Sequence, residues 1–233
     1  MENSQSKISP IGKSYRVVPR FLSGTRDVAP FVKICGITNP VDAELAIESG
    51  ADALGFNLFP YSQRFVDLGK ARSWINALPA GVARVLIGVN PSLAQALEWV
   101  ADQTFHAVQL HGEMWHPFVS RLAETRSLIA AISVKNEHSV SHLDWFSGFA
   151  FLFDGYRAGD FGGTGEPFSW EILHGRQIAK PIILAGGLTP KNIASAIRAV
   201  DPYAVDVASG VESKPGKKDQ NKLRDFIAAA KNR

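Results

Sequence analysis

Residues 31–57 read FVKICGITNPVDAELAIESGADALGFN, and this stretch decides the fold class. Its two ends, 31–35 and 52–57, are short apolar runs, while residues 40–49 between them carry an amphipathic helical pattern. An asparagine followed by a proline precedes the helical part, as a capping residue precedes the first helical position. A strand, a helix and a second strand of this length predict one βαβ unit of a parallel sheet.

The same alternation of an apolar run with an amphipathic segment occurs eight times from residue 31 onward. It predicts strands at 31–35, 52–57, 83–89, 105–110, 128–134, 149–154, 181–185 and 203–208. It predicts helices at about 40–49, 68–77, 92–102, 114–125, 138–146, 169–176, 190–200 and 219–231. Eight units in about 200 residues predict an α/β fold, a single-domain (β/α)8 TIM barrel. The alternative is an open doubly wound sheet, which more naturally has fewer units and a nucleotide-type glycine fingerprint that is missing here.

Residues 1–29 differ in composition from the rest of the chain. They are rich in Ser, Lys, Arg and Pro and show no sustained hydrophobic period. Segments of this kind usually stay outside a packed core. We therefore expect a flexible N-terminal extension over 1–29 and a (β/α)8-barrel domain over 30–233.

Composition and charge exclude several classes of protein. Cys35 is the single cysteine, so an intrachain disulfide and a multi-cysteine zinc site are both impossible. No apolar run approaches the roughly 20 residues of a membrane helix, and the N-terminus lacks a secretory signal pattern. The net charge of +3 suits an anionic ligand, but the basic residues are dispersed apart from 214–218 and the last turn. We expect a cytoplasmic protein without nucleic-acid or membrane partners.

Polar residues at the ends of the predicted strands are the candidates for a functional site. In a (β/α)8 barrel the loops that follow the strands build the active site. Predicted strand 2 runs into a loop long enough to bring Arg64 back over the barrel mouth, and the glycine-rich segment 159–165 has the composition of a lid. The candidate residues are Lys33, Cys35, Arg64, Asp154, Gly186, Gly187, Asp206, Ser209 and Gly210.

Several of these residues also have a plainer interpretation. Cys35 could be a small buried hydrophobe, Asp154 could cap the next segment, and Arg64 could be a solvated loop charge. The glycine pair at 186–187 could be turn chemistry alone. All of these features fall at the same rim of the barrel. This shared location makes it less convincing that every one of them has only the plainer role.

The glycine turns after predicted strands 7 and 8 are suited to a phosphate group. Glycine lets the main chain approach an anion, and helix N-termini carry partial positive charge. Gly186, Gly187, Ser209 and Gly210 are therefore predicted to bind phosphate. Asp206 is a hydrogen-bonding residue that orients its neighbours rather than a direct ligand, because a carboxylate repels the anion.

Strand alternation places Lys33 and Cys35 on the same inward face of the barrel. A cationic Lys33 would favour the thiolate form of Cys35. The alternative is that Lys33 forms a structural ion pair with an inward carboxylate such as Asp206.

These motifs together resemble the phosphoribosylanthranilate isomerase family of tryptophan biosynthesis. The resemblance covers the chain from about residue 30 to the C-terminus. The matching stretches are VKICGIT at 32–38, GADALGF at 50–56, SQRFV at 62–66, VQLHG at 108–112, LAGGL at 184–188, AVDVASGVE at 204–212 and PGKKD at 215–219.

The resemblance implies an Amadori rearrangement of N-(5-phosphoribosyl)anthranilate to 1-(2-carboxyphenylamino)-1-deoxyribulose 5-phosphate, without metal or organic cofactor. Cys35 would be the general base that takes the C2′ proton, and Asp154 the general acid that protonates the ribose ring oxygen. Arg64 would hold the anthranilate carboxylate, and the turns after strands 7 and 8 the phosphate. The protein would be a monomer or a homodimer.

Three other functions remain as alternatives. A histidine-pathway or dual-pathway aminoaldose isomerase would bind two phosphates and use a carboxylate base on strand 1, where this chain has Cys35. A catalytically silent phosphate-binding barrel would not need both Cys35 and Asp154. A metal-dependent barrel epimerase would need histidine and carboxylate ligands on several strand ends, but His111 is the only histidine placed at one.

Overall fold

Eight parallel strands close into a barrel, as the sequence predicts. The structure is a computed structural model, and it describes residues 18–26, 28–112, 119, 122, 127–155 and 168–232. Each strand pairs with its neighbours in chain order, and the first pairs with the last. The strands are β1 Phe31–Ile34, β2 Ala53–Asn57, β3 Ala83–Val89, β4 Ala107–His111, β5 Ser127–Val134, β6 Ala150–Gly155, β7 Ile182–Leu184 and β8 Ala204–Val207.

The described helices lie between the strands and after β8. They are α1 Pro40–Glu48, α2 Leu68–Asn76, α3 Leu93–Ala101, α4 Ile193–Val200 and α5 Gln220–Lys231. The predicted cap of α1 is present, since the Asn39 side chain accepts a hydrogen bond from the Asp42 amide and Pro40 opens the helix. A two-stranded hairpin follows β8, with strands β9 Glu212–Lys214 and β10 Lys217–Lys218.

Two predicted helices, 138–146 and 169–176, are wrong. The structure has only the short 3-10 turns Glu137–Val140 and Trp170–Ile172 at these places. In the first turn the Ser139 hydroxyl accepts a hydrogen bond from the Lys135 amide, which is a local pairing that competes with helix. The predicted helix at 114–125 lies almost wholly outside the described residues.

Side chains on the strands alternate between two apolar clusters. Residues that point outward pack between the strands and the helices. Residues that point inward at the N-terminal end of the barrel are apolar, and many are small, among them Ala53, Ala83 and Ala107. The inward positions nearer the carboxyl ends instead hold polar residues, including Lys33, which is fully buried. The bottom of the barrel is therefore packed apolar core, and the chemistry is confined to its top.

The N-terminal boundary needs a correction. Arg20–Leu22 form a 3-10 turn, and the Phe21 ring, 1% exposed, packs edge-on against Phe31 and Tyr203 under the barrel. The Tyr203 hydroxyl also donates a 2.9 Å hydrogen bond to the Phe21 carbonyl. The sequence missed this contact because one buried aromatic residue creates no hydrophobic period. Residues 1–17 lie outside the described part, where the flexible extension stays a prediction.

Candidate active site

A pocket opens at the carboxyl ends of the strands, where the sequence predicts the site. Predicted residues in its lining are Cys35, Arg64, Asp154, Gly186, Gly187, Asp206, Ser209 and Gly210. Lys33 lies beneath the pocket rather than in its lining. The pocket also includes residues that the sequence did not single out as candidates, namely Asn57, Ser62, Ile87, Gln109, Ala185, Leu188, Val207 and Ala208, with His111 noted only as a possible metal ligand.

Cys35 directly follows β1, and its amide donates a 2.8 Å hydrogen bond to the Val207 carbonyl. Its Sγ lies over Gly55, where an added Cβ would come within 3.1 Å of the sulfur. Burial raises the pKa of the Cys35 thiol, and the nearby Lys33 ammonium opposes that shift only in part. Lys33 therefore lowers the pKa of the Cys35 thiol, as expected, but by less than burial raises it.

Lys33 and Asp206 form the buried ion pair that was the alternative interpretation of Lys33. The Lys33 Nζ and Asp206 Oδ1 atoms are 2.9 Å apart, and their side chains are 0% and 8% exposed. Burial lowers the pKa of Lys33, but Asp206 and Cys35 together raise it by more, so the ammonium stays charged. The pair places a fixed positive charge directly below the thiol.

Arg64 folds back over the pocket mouth, as expected, but its guanidinium already has an anionic partner. Its Nε and Nη2 donate to the two carboxylate oxygens of Glu212 at 2.9 and 2.7 Å. Gly36, with a φ of +73°, makes room for the arginine, because a side chain there would overlap the Arg64 methylenes. Lys218 Nζ lies 2.9 Å from Glu212 Oε1, the oxygen that also accepts from Arg64 Nε. Sequence reasoning missed Glu212 and Lys218, although both fall within the family motifs that close the chain.

Asp154 is the second-last residue of β6 and lies on the side of the pocket away from β1. It is 7% exposed, and its Oδ1 lies so close to Gly186 that an added Cβ there would come within 2.8 Å of that oxygen. Gly186 also has a φ of +83°, which side chains rarely adopt. Glycine at 186 is thus required both by the turn and by the approach of the Asp154 carboxyl.

The two predicted phosphate turns lie against each other at the top of β7 and β8. Gly187 has a φ of +62°, and its carbonyl accepts a 2.9 Å hydrogen bond from the Asn192 side chain. A side chain at Gly210 would overlap the Leu188 carbonyl, so the second turn packs directly on the first. The arrangement gives closely spaced backbone groups of the kind that bind a phosphate.

His111 and Gln109 form a polar pair on the β4 side of the pocket. Gln109 Nε2 and His111 Nε2 are 2.7 Å apart. Burial, with a smaller contribution from Lys33, lowers the pKa of His111 to about 4, so the imidazole is neutral near pH 7. Gln109 points inward from β4 and is 1% exposed. A single glutamine in a strand is not a recognisable sequence motif. That the Gln109 side chain points into the barrel follows only from the pairing register of the strands.

The predicted lid at 159–165 lies outside the described residues. Within the described ranges, no group of three or more His, Cys, Asp or Glu side chains could hold a metal ion. In that same part of the chain, every helix is too short or too polar to cross a membrane.

The barrel and the pocket define a class, a (β/α)8-barrel enzyme whose pocket is lined by polar side chains at the carboxyl ends of its strands. Residues 32–229 match the family model described as N-(5'phosphoribosyl)anthranilate (PRA) isomerase. The chain belongs to this family.

Relatives and solved structures of the same family agree with the match. An N-(5'-phosphoribosyl)anthranilate isomerase of Pelobacter propionicus is 46% identical over 205 residues, 86% of this chain and 95% of the relative. The crystal structure of the Thermotoga maritima enzyme is 40% identical, with a TM-score of 0.80 over 86% of this chain and 98% of that chain. A phosphoribosyl anthranilate isomerase in complex with reduced 1-(o-carboxyphenylamino)-1-deoxyribulose 5-phosphate is 38% identical, with a TM-score of 0.76 over 86% and 98%. A further structure, of monomers generated from the dimeric T. maritima enzyme, is 37% identical, with a TM-score of 0.76 over the same shares.

Proposed function

We propose that the chain isomerises N-(5′-phosphoribosyl)anthranilate by an Amadori rearrangement, with Cys35 as general base and Asp154 as general acid. One observation carries the proposal: the thiol and the carboxyl line a single pocket, from β1 and β6. Membership of the isomerase family supports the reaction, since its members are named for this substrate.

The proposed reaction begins with opening of the ribose ring. Asp154 gives its proton to the ring oxygen while the anthranilate nitrogen lone pair forms a C1′=N bond. The Cys35 thiolate then removes the C2′ proton, and the electron pair forms a C1′=C2′ bond as the nitrogen becomes neutral. The resulting enol loses its 2′-hydroxyl proton and gains a proton at C1′, which gives the ketone. No atom is gained or lost overall. Asp154 donates the proton of the first step, and Cys35 removes the proton of the second step.

Two groups are proposed to position the substrate for these steps. The turns at Gly186–Gly187 and Ser209–Gly210 bind the phosphate through backbone N–H groups. Arg64 binds the anthranilate carboxylate, since a guanidinium can make a planar two-point contact with it. We also propose that Asp206 orients its neighbours and that the Lys33 ammonium provides a fixed positive charge below the thiol. The protein is proposed to be a monomer or a homodimer.

Replacing the acid and the base tests this proposal. Asp154→Asn keeps the shape but removes the ionisable proton, and Cys35→Ser replaces the thiol with a hydroxyl that ionises far less readily. We expect kcat to fall by about 10²-fold or more in each variant while KM changes little, measured by fluorescence with phosphoribosylanthranilate. Asp144→Asn, an exposed aspartate on another loop, is the matched control. A folded Cys35→Ser or Asp154→Asn protein with nearly wild-type kcat would show that the roles are assigned wrongly.

A further inference from the structure

Glu212 and Lys218 form a charged unit beside Arg64 for which the proposed reaction has no role. Glu212 is 3% exposed and the Lys218 side chain is fully buried, so neither is a surface charge. Burial raises the pKa of Glu212, but Arg64 and Lys218 lower it by more, so the carboxylate is ionised. Removing the three charges of Arg64, Glu212 and Lys218 from water costs free energy, so the cluster is weak evidence for a role in stability. This favours a functional role for it.

The way in which Glu212 contacts Arg64 leaves a defined part of the guanidinium for a ligand. Glu212 takes the side edge of the fork, Nε and Nη2, at 2.9 and 2.7 Å. The end edge, formed by Nη1 and the second hydrogen of Nη2, makes no hydrogen bond to any residue that the structure describes. A guanidinium has five N–H donors in a rigid plane, so two carboxylates can bind its two edges at once.

Lys218 connects this arrangement to the proposed base. Its ammonium donates to Glu212 Oε1 at 2.9 Å, to the Cys35 carbonyl at 2.6 Å and to the Ala208 carbonyl at 3.3 Å. One side chain from β10 therefore fixes the anion that holds Arg64 and also the main chain at the ends of β1 and β8.

We propose that Glu212 is a positioning residue that sets the orientation of Arg64 for the substrate carboxylate, with Lys218 holding Glu212 in place. The proposal rests on the proposed carboxylate-binding role of Arg64. It goes beyond that role, because it makes recognition of the anthranilate group depend on an anion that does not touch the substrate.

Kinetics of Glu212→Gln test the proposal. The amide keeps the size of the side chain but offers one acceptor oxygen instead of two, so the side edge of Arg64 loses its two-point partner. We expect KM for phosphoribosylanthranilate to rise about tenfold, kcat to stay within about twofold, and inhibition by inorganic phosphate to stay unchanged. A purely structural role would instead change all three together. Glu137→Gln is the matched control, because it breaks an arginine–glutamate pair, with Arg176, on the surface.

A double-mutant cycle with Arg64→Lys separates the possible outcomes. If Glu212 acts through Arg64, the double variant should have about the KM of Arg64→Lys alone, because the second change removes nothing further. If the two increases in KM multiply, the positioning role is wrong. An unchanged KM in Arg64→Lys would instead overturn the carboxylate-binding role itself. If Glu212→Gln does not fold, Glu212→Asp replaces it in the cycle, since it keeps the charge for Lys218 but reaches less far toward Arg64.

Discussion

Cys35 is subject to two opposing effects, and their balance predicts a pH dependence. Burial raises the pKa of the thiol above its ordinary value, and Lys33 lowers it by less. A general base works only when deprotonated, so its contribution increases as the pH rises through the raised pKa and is lost below it. We expect kcat/KM to be still increasing above about pH 8, near and beyond the ordinary cysteine range.

Comparison with Cys35→Ser isolates that limb of the profile. The increase should disappear in the variant, because serine does not titrate in this range. The measurement is kcat/KM between about pH 6 and 10 on both proteins. A wild-type profile that is flat across the alkaline range would argue against the thiol as the base.

His111 is expected to behave differently from Cys35, because it stays neutral through this range. Burial lowers its pKa to about 4, so the folded protein leaves it uncharged while the unfolded chain protonates it below about pH 6.5. Stability linked to His111 is therefore present above about pH 6.5 and is lost as the pH falls toward 4. In denaturant titrations, the wild type should lose about 1 to 3 kcal/mol more than His111→Asn between pH 7 and 4. Parallel losses in the two proteins would contradict this.

Residues at strand ends could be predicted from the sequence, while their partners could not. Cys35 and Asp154 each follow an apolar run, so strand alternation and barrel geometry suffice to place them at one rim. The contact between Arg64 and Glu212 spans 148 residues of sequence. No local period encodes such a pairing, which depends on how the loop after β2 packs against the hairpin after β8.

Among the elements, the turn after β7 yields a prediction that separates backbone strain from ligand binding. Gly187 has a φ of +62°, so Gly187→Val strains the turn and moves its N–H groups. Inhibition by inorganic phosphate should weaken at least tenfold, about 1.4 kcal/mol, with the fold retained. Gly24→Val is the matched control, since Gly24 also has a positive φ, +78°, but no atom near its Cβ position. Equal phosphate inhibition in wild type and Gly187→Val would remove this turn from the site.

The strands were predicted more accurately than the helices, for a physical reason. Each strand is enclosed on both faces, so its sequence is largely apolar. The segment 83–89 is an example: it is apolar apart from Arg84, and its predicted bounds match β3. The segments 138–146 and 169–176 have apolar residues at helical spacing, but these side chains pack on the barrel without a helical backbone between them. Phe146, for example, packs 4.9 Å from the Phe151 ring of β6 while its own segment stays non-helical. Periodicity identified a buried face there without identifying the backbone conformation.

For the molecule as a whole, the packing of Phe21 under the barrel predicts an effect on stability that leaves activity intact. Phe21→Ala removes a ring that is 1% exposed and should lower the free energy of unfolding by about 3 kcal/mol. Because the bottom face of such barrels serves stability and the top face serves catalysis, kcat and KM should not change. The measurements are denaturant unfolding and steady-state kinetics. Val28→Ala, at a residue 72% exposed in the same segment, is the control, and a comparable loss in both variants would contradict a specific role for Phe21.

The ion pair of Lys33 and Asp206 spans the seam where the barrel closes. In the pairing of β1 with β8 these two residues stand directly opposite each other. During synthesis β1 is made before the other barrel strands and β8 after them. The Asp206 carboxylate that pairs with Lys33 is therefore absent until most of the chain has been made. A buried ammonium without that partner is strongly unfavourable, so a growing chain that lacks β8 must leave Lys33 in water. Asp206 and the residues that follow β8 are also part of the pocket lining. We therefore expect that a partly translated chain neither binds nor converts substrate until β8 has closed the barrel.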